Sequence, residues 1–425
     1  MTLWRTGRRV SLSCDAGLML FTLIALLLVA VPAASADPAA EAPRVLRTFT
    51  HHQITTVPQG ISGYYRPMIS DQGNRILFGL NPTAEGKPHP MAIMDFDGGN
   101  LTVLDEVPRI VDLDLSADGS KIAYLAGSEV RIIDANGQNR RTLFKVDGDL
   151  NAIKISGDGK VIVFLCARGM NVPDGDKTKT LDRGVFAINS DGTDFRRVSG
   201  PEEIARLRNV KPDVVGNPNF CIGHPANSID ISHDGRRVVL GCWVSSSHVV
   251  FGCDDRGGNL HVITERSNID GQTQNFATIM LSGDGSTLAY HAIYKDELGI
   301  IGFDGKGVKL LMRAGEEGQR FGWGYSELPY ITSDGARVSY SGRHFDVAAG
   351  TSFSLMATHT EGVLRYWEYE TMVMDAAGRR FAYWCYTPRP LQMATMEINV
   401  PWDQLRGAPK ITEIAVDPGA IPRVK

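Results

Sequence analysis

The stretch Ile229–Leu240, with the sequence IDISHDGRRVVL, decides the fold because its pattern returns six more times in the chain. It consists of an apolar strand, a tight turn closed by a glycine, and a second apolar strand. Glycine supplies the positive φ that such a turn requires, and alternating apolar and polar residues indicate strands. The turn glycines of the seven copies are Gly73, Gly119, Gly159, Gly235, Gly285, Gly335 and Gly378. The pattern therefore predicts a β-hairpin that is repeated seven times.

Two further positions have the same character in every copy. Three residues before the glycine stands a short side chain with an oxygen acceptor, which we expect to bond the backbone of the turn. These side chains are Ser70, Ser116, Ser156, Ser232, Ser282, Thr332 and Asp375. Five residues after the glycine stands a large apolar or aromatic residue, which we expect to be buried. These residues are Phe78, Tyr124, Phe164, Leu240, Tyr290, Tyr340 and Tyr383.

The spacing of the copies indicates the architecture. Successive turn glycines are 46, 40, 76, 50, 50 and 43 residues apart, and a period of 40–50 residues is typical of four-stranded propeller blades. A second hairpin with its own turn follows most copies, as at Asp97-Gly98 and Asp304-Gly305. Two hairpins per copy give four strands per blade. We therefore predict an all-β protein, a seven-bladed β-propeller of four-stranded antiparallel blades, in preference to six or eight blades.

These repeats resemble the WD40-like repeats of the TolB family, whose blades carry an S-P-D-G turn followed by an apolar strand. The resemblance covers nearly all of the chain after about residue 56 and implies the propeller fold. TolB itself looks like a six-bladed propeller preceded by a separate α/β domain. Here seven copies are present and no such domain fits, so the resemblance concerns architecture and does not extend to TolB's partners.

The N-terminal residues 1–36 read as a signal peptide. Three arginines precede an apolar run over residues 17–31, and an A-x-A cleavage site ends at Ala36. The alternative is an uncleaved membrane anchor, although 15 apolar residues are short for a span of about 20. We expect residues 37–55 to be a linker with a possible closing strand, and residues 56–425 to form the propeller. Either end of the chain could supply the strand that closes the ring.

Charge and cysteine content restrict the partners and the compartment. Removal of Arg5, Arg8, Arg9 and Asp15 with the signal peptide leaves 41 basic and 47 acidic residues, which argues against nucleic acid as a partner. Contact with a membrane is expected only through the signal segment. The five remaining cysteines could form one disulfide in an exported protein, or could be small buried apolar residues. They are Cys166, Cys221, Cys242, Cys253 and Cys385.

The long gap after Gly159 contains two insertions. Residues 168–182 lengthen the connection between the second and third strands of blade 3. Residues 199–226 lie between blades 3 and 4, and Ser199–Leu207 carries a helix signal, because a proline and two acids stand at its start. Insertions of this length in a compact repeat are usually functional or disordered.

A candidate binding site lies where the innermost strands begin, because these strand starts surround one mouth of the channel. Counting back from each glycine places a ring of aromatic, amide and charged side chains there. This ring would bind a protein segment or a glycan, with the aromatic planes stacking on the ligand. Alternatively, the polar groups cap strand ends and the aromatics belong to the core. The predicted ligand-binding residues are Tyr65, Arg66, Arg109, Asn151, Asn227, Asn275, Trp323, Tyr325, Trp367 and Tyr369.

Catalysis has weaker support in the sequence. There is no G-x-S-x-G motif, no phosphate-binding glycine loop and no room for the α/β domain of prolyl peptidases. Oligogalacturonate lyases are similar in architecture, and their Gly-His-Pro entry into a blade matches residues 223–225. That resemblance implies His224 as the base, and we expect Glu327 or Glu370 to assist it. The Q-x-x-H-x-H arrangement of their metal cluster is absent from this sequence.

Two hypotheses follow. The first is an exported, monomeric binding module of the cell envelope, periplasmic or secreted, without a cofactor or metal site. The second is a polysaccharide or oligosaccharide lyase, and a divalent metal is expected only in that case. Convergence of His224, Glu327, Glu370 and Arg109 on one cavity would support both site proposals.

Overall fold

The computed structural model describes residues 49–56, 67–79, 86–174, 177–216, 228–245, 247–267, 276–292, 297–313, 329–340, 343–356, 372–385, 392–398 and 413–415. The first strand, β1 (Phe49–Thr56), belongs to the last blade. Blade 1 contains β2 (Met68–Ile69), β3 (Arg75–Gly79), β4 (His89–Asp95) and β5 (Thr102–Val107). Blade 2 contains β6 (Ile110–Leu115), β7 (Lys121–Ala126), β8 (Glu129–Asp134) and β9 (Arg141–Lys145).

Blade 3 carries the first insertion. Its four strands are β10 (Leu150–Ile155), β11 (Val161–Cys166), β14 (Gly184–Asn189) and β15 (Arg196–Ser199). Between β11 and β14 the chain forms a separate two-stranded ribbon of β12 (Met170–Asp174) and β13 (Lys177–Leu181). The second insertion begins with α1 (Pro201–Arg208), followed by a 3-10 turn at Pro212–Val214. The predicted helix is therefore present. Glu202 and Glu203 lie in its first turn, where negatively charged side chains interact favourably with the helix dipole.

The remaining blades repeat the same order. Blade 4 contains β16 (Ile229–Ile231), β17 (Arg237–Val244), β18 (Ser247–Asp254) and β19 (His261–Ser267). Blade 5 contains β20 (Phe276–Leu281), β21 (Thr287–Ala292), β22 (Glu297–Gly302) and β23 (Lys309–Arg313). Blade 6 contains β24 (Tyr330–Ile331), β25 (Arg337–Tyr340), β26 (Arg343–Asp346) and β27 (Thr351–Met356). Blade 7 contains β28 (Val373–Met374), β29 (Arg380–Cys385) and β30 (Gln392–Ile398), with β1 as its outermost strand.

All seven blades are antiparallel and four-stranded, as the repeats predict. The N-terminal strand β1 completes blade 7 by pairing with β30, from Phe49 opposite Ile398 to Thr56 opposite Gln392. A short C-terminal strand, β31 (Glu413–Ala415), adds in parallel to the outer edge of blade 6. The N-terminal segment therefore supplies the strand that joins the two ends of the ring.

The repeated turn explains why each blade forms. The Ser232 hydroxyl donates to Asp234 at 2.7 Å and accepts the backbone N–H of Arg237 at 3.0 Å, and the backbone N–H of Gly235 donates to the Ser232 carbonyl at 3.0 Å. All seven turn glycines have φ between +64° and +71°, a region that side chains with a Cβ rarely adopt. The short oxygen-bearing residue and the glycine thus perform the roles that the sequence indicates.

The core lies between the faces of neighbouring blades. Blades 3 and 4, for example, share a cluster that includes Leu165, Val185, Leu240 and Phe251, all at most 1% exposed. The aromatic residues five places after the turn glycine are among the most buried side chains, with Tyr124 and Phe164 fully enclosed. Because each blade buries its faces only against its neighbours, the ring depends on every blade.

The three cysteines whose side chains the structure describes, Cys166, Cys242 and Cys253, form no disulfide. Cys166 and Cys242 are fully buried in second strands, which agrees with their prediction as small apolar residues. Cys253 is also buried, but it lies opposite Val238, whereas Cys242 lies opposite Val249, so the two thiols sit at different levels of the hairpin. A disulfide between Cys242 and Cys253, one of the pairings that the sequence left open, is therefore not formed. Cys221 and the side chain of Cys385 lie outside the described part of the structure, so the predictions for them stay predictions.

Candidate functional site

Two of the predicted mouth residues lie in the described part of the chain, and they line the same cavity. Arg109 precedes the innermost strand of blade 2, and Asn151 lies near the start of the innermost strand of blade 3. Together with Ser128 and Asp149 they line a cavity of about 510 Å³ between the two blades. This volume is in the range of small-molecule sites, and the lining is mostly polar.

The electrostatics of this cavity are set by one arginine and one ion pair. Arg109 is exposed, and no carboxylate of the described ranges lies within ion-pair distance of its guanidinium. Asp149 pairs with Arg168, whose Nε lies 3.0 Å from Oδ2. Burial, assisted by the nearby charge of Arg109, lowers the pKa of His89. The cavity can therefore offer a cation, an amide and a hydroxyl to a polar ligand.

The other predicted site residues lie outside the described residues. These are His224, Glu327, Glu370, Tyr65, Arg66, Asn227, Asn275, Trp323, Tyr325, Trp367 and Tyr369. Their convergence on the mouth stays a prediction.

The central channel contains charged groups that the sequence analysis missed. In blades 1–6 the residue five places before the turn glycine lines the channel, and blades 2, 3 and 4 place Asp114, Lys154 and Asp230 there, around a space of about 110 Å³. Asp114 Oδ2 accepts the backbone N–H of Ile155 at 2.9 Å, and Asp230 Oδ2 accepts that of Leu281 at 2.8 Å. Each carboxylate thus provides a hydrogen-bond acceptor for the inner strand of the next blade, because no neighbouring strand pairs with that strand on its channel edge.

Lys154, in the blade between these two carboxylates, carries a positive charge that offsets part of the cost of burying their negative charges. Its Nζ is 3.8 Å from Asp114 Oδ1. Burial raises the pKa of Asp230, while the charge of Lys154 and the N–H groups of Leu281 and Ile231 oppose that rise. Since both oxygens of Asp230 accept backbone N–H groups, its carboxylate holds adjacent blades together. The channel carboxylates thus have a structural role, because they bind backbone N–H groups of neighbouring inner strands.

At the opposite mouth, on the side of the repeated turns, the channel is lined by the residues two places before the turn glycine. Backbone hydrogen bonds run from blade to blade through this position, for example from Asp71 N to Ala117 O at 2.8 Å and from His233 N to Gly283 O at 2.7 Å. Three of the seven residues are polar, namely Asp71, His233 and Ser333. His233 Nδ1 lies 3.2 Å from Asp71 Oδ2, and the Ser333 hydroxyl donates to the same oxygen at 2.8 Å.

The described histidines are dispersed rather than clustered. His248, His291 and His344 lie in three different blades, and burial lowers their pKa to about 3, about 4 and about 3. His291 Nδ1 lies 3.0 Å from the Tyr340 hydroxyl of the next blade. In the described ranges, no three His, Cys, Asp or Glu side chains are grouped so that they could hold a metal ion. These histidines are therefore packing residues.

The fold defines the chain as a seven-bladed β-propeller of the TolB-like, WD40-like repeat architecture, as the sequence predicts. No family model matches the sequence, and no curated protein does. Among solved structures, the chain is similar to oligogalacturonate lyase from Vibrio parahaemolyticus, with a TM-score of 0.53 and 9% identity over 84% of this chain and 92% of the lyase. This likeness concerns the fold alone.

Two other solved structures are less similar. TolB from Acinetobacter baumannii gives a TM-score of 0.41 at 14% identity, over 77% of this chain and 64% of TolB. Hydrazine synthase from Kuenenia stuttgartiensis gives a TM-score of 0.48 at 13% identity, over 80% of this chain and 97% of the matched chain. Among the described residues, no helix is both long and apolar enough to span a membrane.

Proposed function

We propose that this chain is an exported, monomeric interaction module that binds a protein segment or a glycan at the channel mouth formed by the starts of the inner strands. The observation that supports the proposal is that Arg109 and Asn151, from different blades, line one polar cavity beside the starts of two inner strands. The signal-peptide pattern of residues 1–36 supports export. The acidic balance of the chain disfavours nucleic acid.

The chemistry of the described residues favours binding over catalysis. The channel carboxylates Asp114 and Asp230 already accept backbone N–H groups, so they are engaged in holding the ring together. The buried histidines have strongly lowered pKa values and no access to a ligand. By contrast, Arg109 is exposed and can form a charge-assisted hydrogen bond, the stronger kind in proteins.

The proposal is tested with purified protein on glycan and peptide arrays, followed by titration of any ligand that binds. Arg109→Ala is expected to weaken binding of that ligand by about 10- to 150-fold, because a hydrogen bond to a charged group contributes about 1.5–3 kcal/mol. Asn151→Ala is expected to weaken it less. The matched control is Arg236→Ala, which removes an arginine whose side chain is 84% exposed in the turn that follows β16. Equal binding by all three variants would place the ligand elsewhere and refute this site.

The second candidate is a lyase acting on acidic oligosaccharides, favoured by the residues Gly223-His224-Pro225, which match the entry motif of the oligogalacturonate lyases. The divalent metal of those enzymes does not fit the residues that can be assessed, because the Q-x-x-H-x-H sequence is missing and the described ranges hold no ligand cluster. Elemental analysis and assays on uronic-acid oligomers decide this case. Turnover that His224→Ala abolishes would replace the binding proposal.

A further inference from the structure

The acid of the first turn, Asp71, stands one residue earlier than the acid in the turns of blades 2–6. In blades 2–6 an aspartate directly precedes the turn glycine and caps its own turn, as Asp158 does by accepting the Ser156 hydroxyl at 2.6 Å. In blade 1 the sequence is Ser70-Asp71-Gln72-Gly73, and Asn74 accepts the Ser70 hydroxyl instead. Asp71 is thereby released from capping and faces the channel.

The two glycines beside His233 make room for its ring. A Cβ at Gly157 would lie 2.4 Å from His233 Cγ, and a Cβ at Gly283 would lie 2.3 Å from His233 Cε1. Neither glycine has a positive φ, so the requirement comes from space and not from backbone conformation. Because blades 3 and 5 carry no side chain here, the imidazole of blade 4 lies across the mouth and reaches Asp71 of blade 1.

We propose that Asp71, His233 and Ser333 form a cross-ring brace, which ties blades 1, 4 and 6 together across the axis and closes the channel on the turn side when the imidazole is protonated. The contacts are the 3.2 Å pair between His233 and Asp71 and the 2.8 Å hydrogen bond from Ser333. This brace joins blades that are not neighbours in the ring. It lies on the face opposite the cavity of Arg109 and stands independently of the proposed function.

Asp71 has two partners that stabilise its negative charge. Burial raises the pKa of Asp71, while the charge of His233 and the hydrogen bond from Ser333 oppose that rise. The charged groups on the elements packed around His233 and along the channel are Asp71, Asp158, Asp284, Asp114, Lys154, Asp230 and Asp375. The contact to Asp71 is an ion pair only when the imidazole is protonated, and histidine ordinarily changes its charge between about pH 5 and pH 8. We therefore expect the brace to tighten as the pH falls through this range, until Asp71 itself takes up a proton.

A double-mutant cycle with the full chain tests the brace. Asp71→Asn, His233→Gln and the double variant are compared with the parent by thermal unfolding at about pH 5.5 and about pH 8. At the lower pH each single change is expected to lower the midpoint by about 1–2 °C, the shift that follows from losing about 1 kcal/mol in a domain of this size. The midpoint of the double variant is expected to be no lower than that of the less stable single variant, since both changes break the same interaction. At the higher pH the losses are expected to shrink.

Two further variants test whether the effect is specific to the brace. Ser333→Ala removes only a hydroxyl and is expected to lower the midpoint and to reduce the coupling between the other two positions. Asp97→Asn is the control, because Asp97 lies in an exposed turn of blade 1 and its carboxylate accepts the backbone N–H of Gly99 in the same turn. Additive losses, coupling that is the same at both pH values, or a pH response of the control equal to that of His233→Gln would overturn the brace.

Discussion

Asp230 in blade 4 accepts the backbone N–H of Leu281 in blade 5 at 2.8 Å, so a single carboxylate supports the exposed edge of its neighbour's inner strand. Its other oxygen accepts the N–H of Ile231 at 2.9 Å. Asp230→Asn retains only one of these acceptors and places an amide donor against an N–H group. We expect a loss of about 1–3 kcal/mol in the free energy of unfolding, measured by urea denaturation.

A control distinguishes this effect from a general effect of charge. Asp304→Asn alters an exposed aspartate in a turn between outer strands, where the carboxylate is 63% exposed. We expect that change to stay within about 0.5 kcal/mol. A loss at Asp230 no larger than the loss at Asp304 would show that the inter-blade hydrogen bond contributes nothing.

The turn glycines are predicted to be sensitive to substitution for two separable reasons, the positive φ of the backbone and the lack of space for a Cβ. Gly285 has φ of +70°, and a Cβ there would lie 2.8 Å from Arg237 Cδ and 3.0 Å from Ser232 Cβ of the preceding blade. Gly86 has a similar φ of +78°, but a Cβ there would have no atom of the described residues within 4 Å. Gly86→Ala therefore measures the backbone cost, about 1 kcal/mol, and Gly285→Ala is expected to cost at least twice as much. Equal losses in chemical denaturation would contradict close packing between blades.

The fold follows from the sequence because one local motif, an oxygen-bearing residue three places before a glycine, is sufficient to close each turn. The mouth cavity follows in part, since counting back from the glycine brings Arg109 and Asn151 to equivalent strand starts. The channel charges and the brace could not be predicted in the same way, because they depend on packing between blades. A signal was nevertheless present. Charged residues stand five places before the glycine in otherwise apolar strands, and the acid of blade 1 is displaced to Asp71.

Acid is predicted to destabilise the ring through its buried histidines. The pKa of His344 falls to about 3 in the folded protein because of burial, whereas an unfolded histidine titrates near 6.5. The unfolded chain therefore binds the proton more tightly, and stability that is complete above about pH 6.5 is lost as the pH falls towards the folded value. Each such histidine contributes about 1.4 kcal/mol per pH unit within that interval.

His344→Gln removes one side chain that takes up a proton when the protein unfolds in acid. Urea denaturation between about pH 4.5 and pH 7.5 should then give a shallower dependence of stability on pH, by roughly one proton, whatever the variant loses at neutral pH. His261→Gln, a change at a half-exposed histidine, is the comparison. If the two variants show the same slope as the parent, burial of His344 does not control the acid response.

The buried thiols are predicted to be inert in the folded protein. Burial raises the pKa of Cys253 to about 12 and that of Cys166 to about 11, so almost no thiolate is present at pH 8. Thiolate is the reactive form, and both side chains are also shielded from solvent. Iodoacetamide at about pH 8, followed by peptide mapping, should leave Cys166, Cys242 and Cys253 unmodified until denaturant is added, and then modify all three without prior reduction. Modification of the folded chain at these positions would show that the blades open locally, and a need for reductant would show that a disulfide forms.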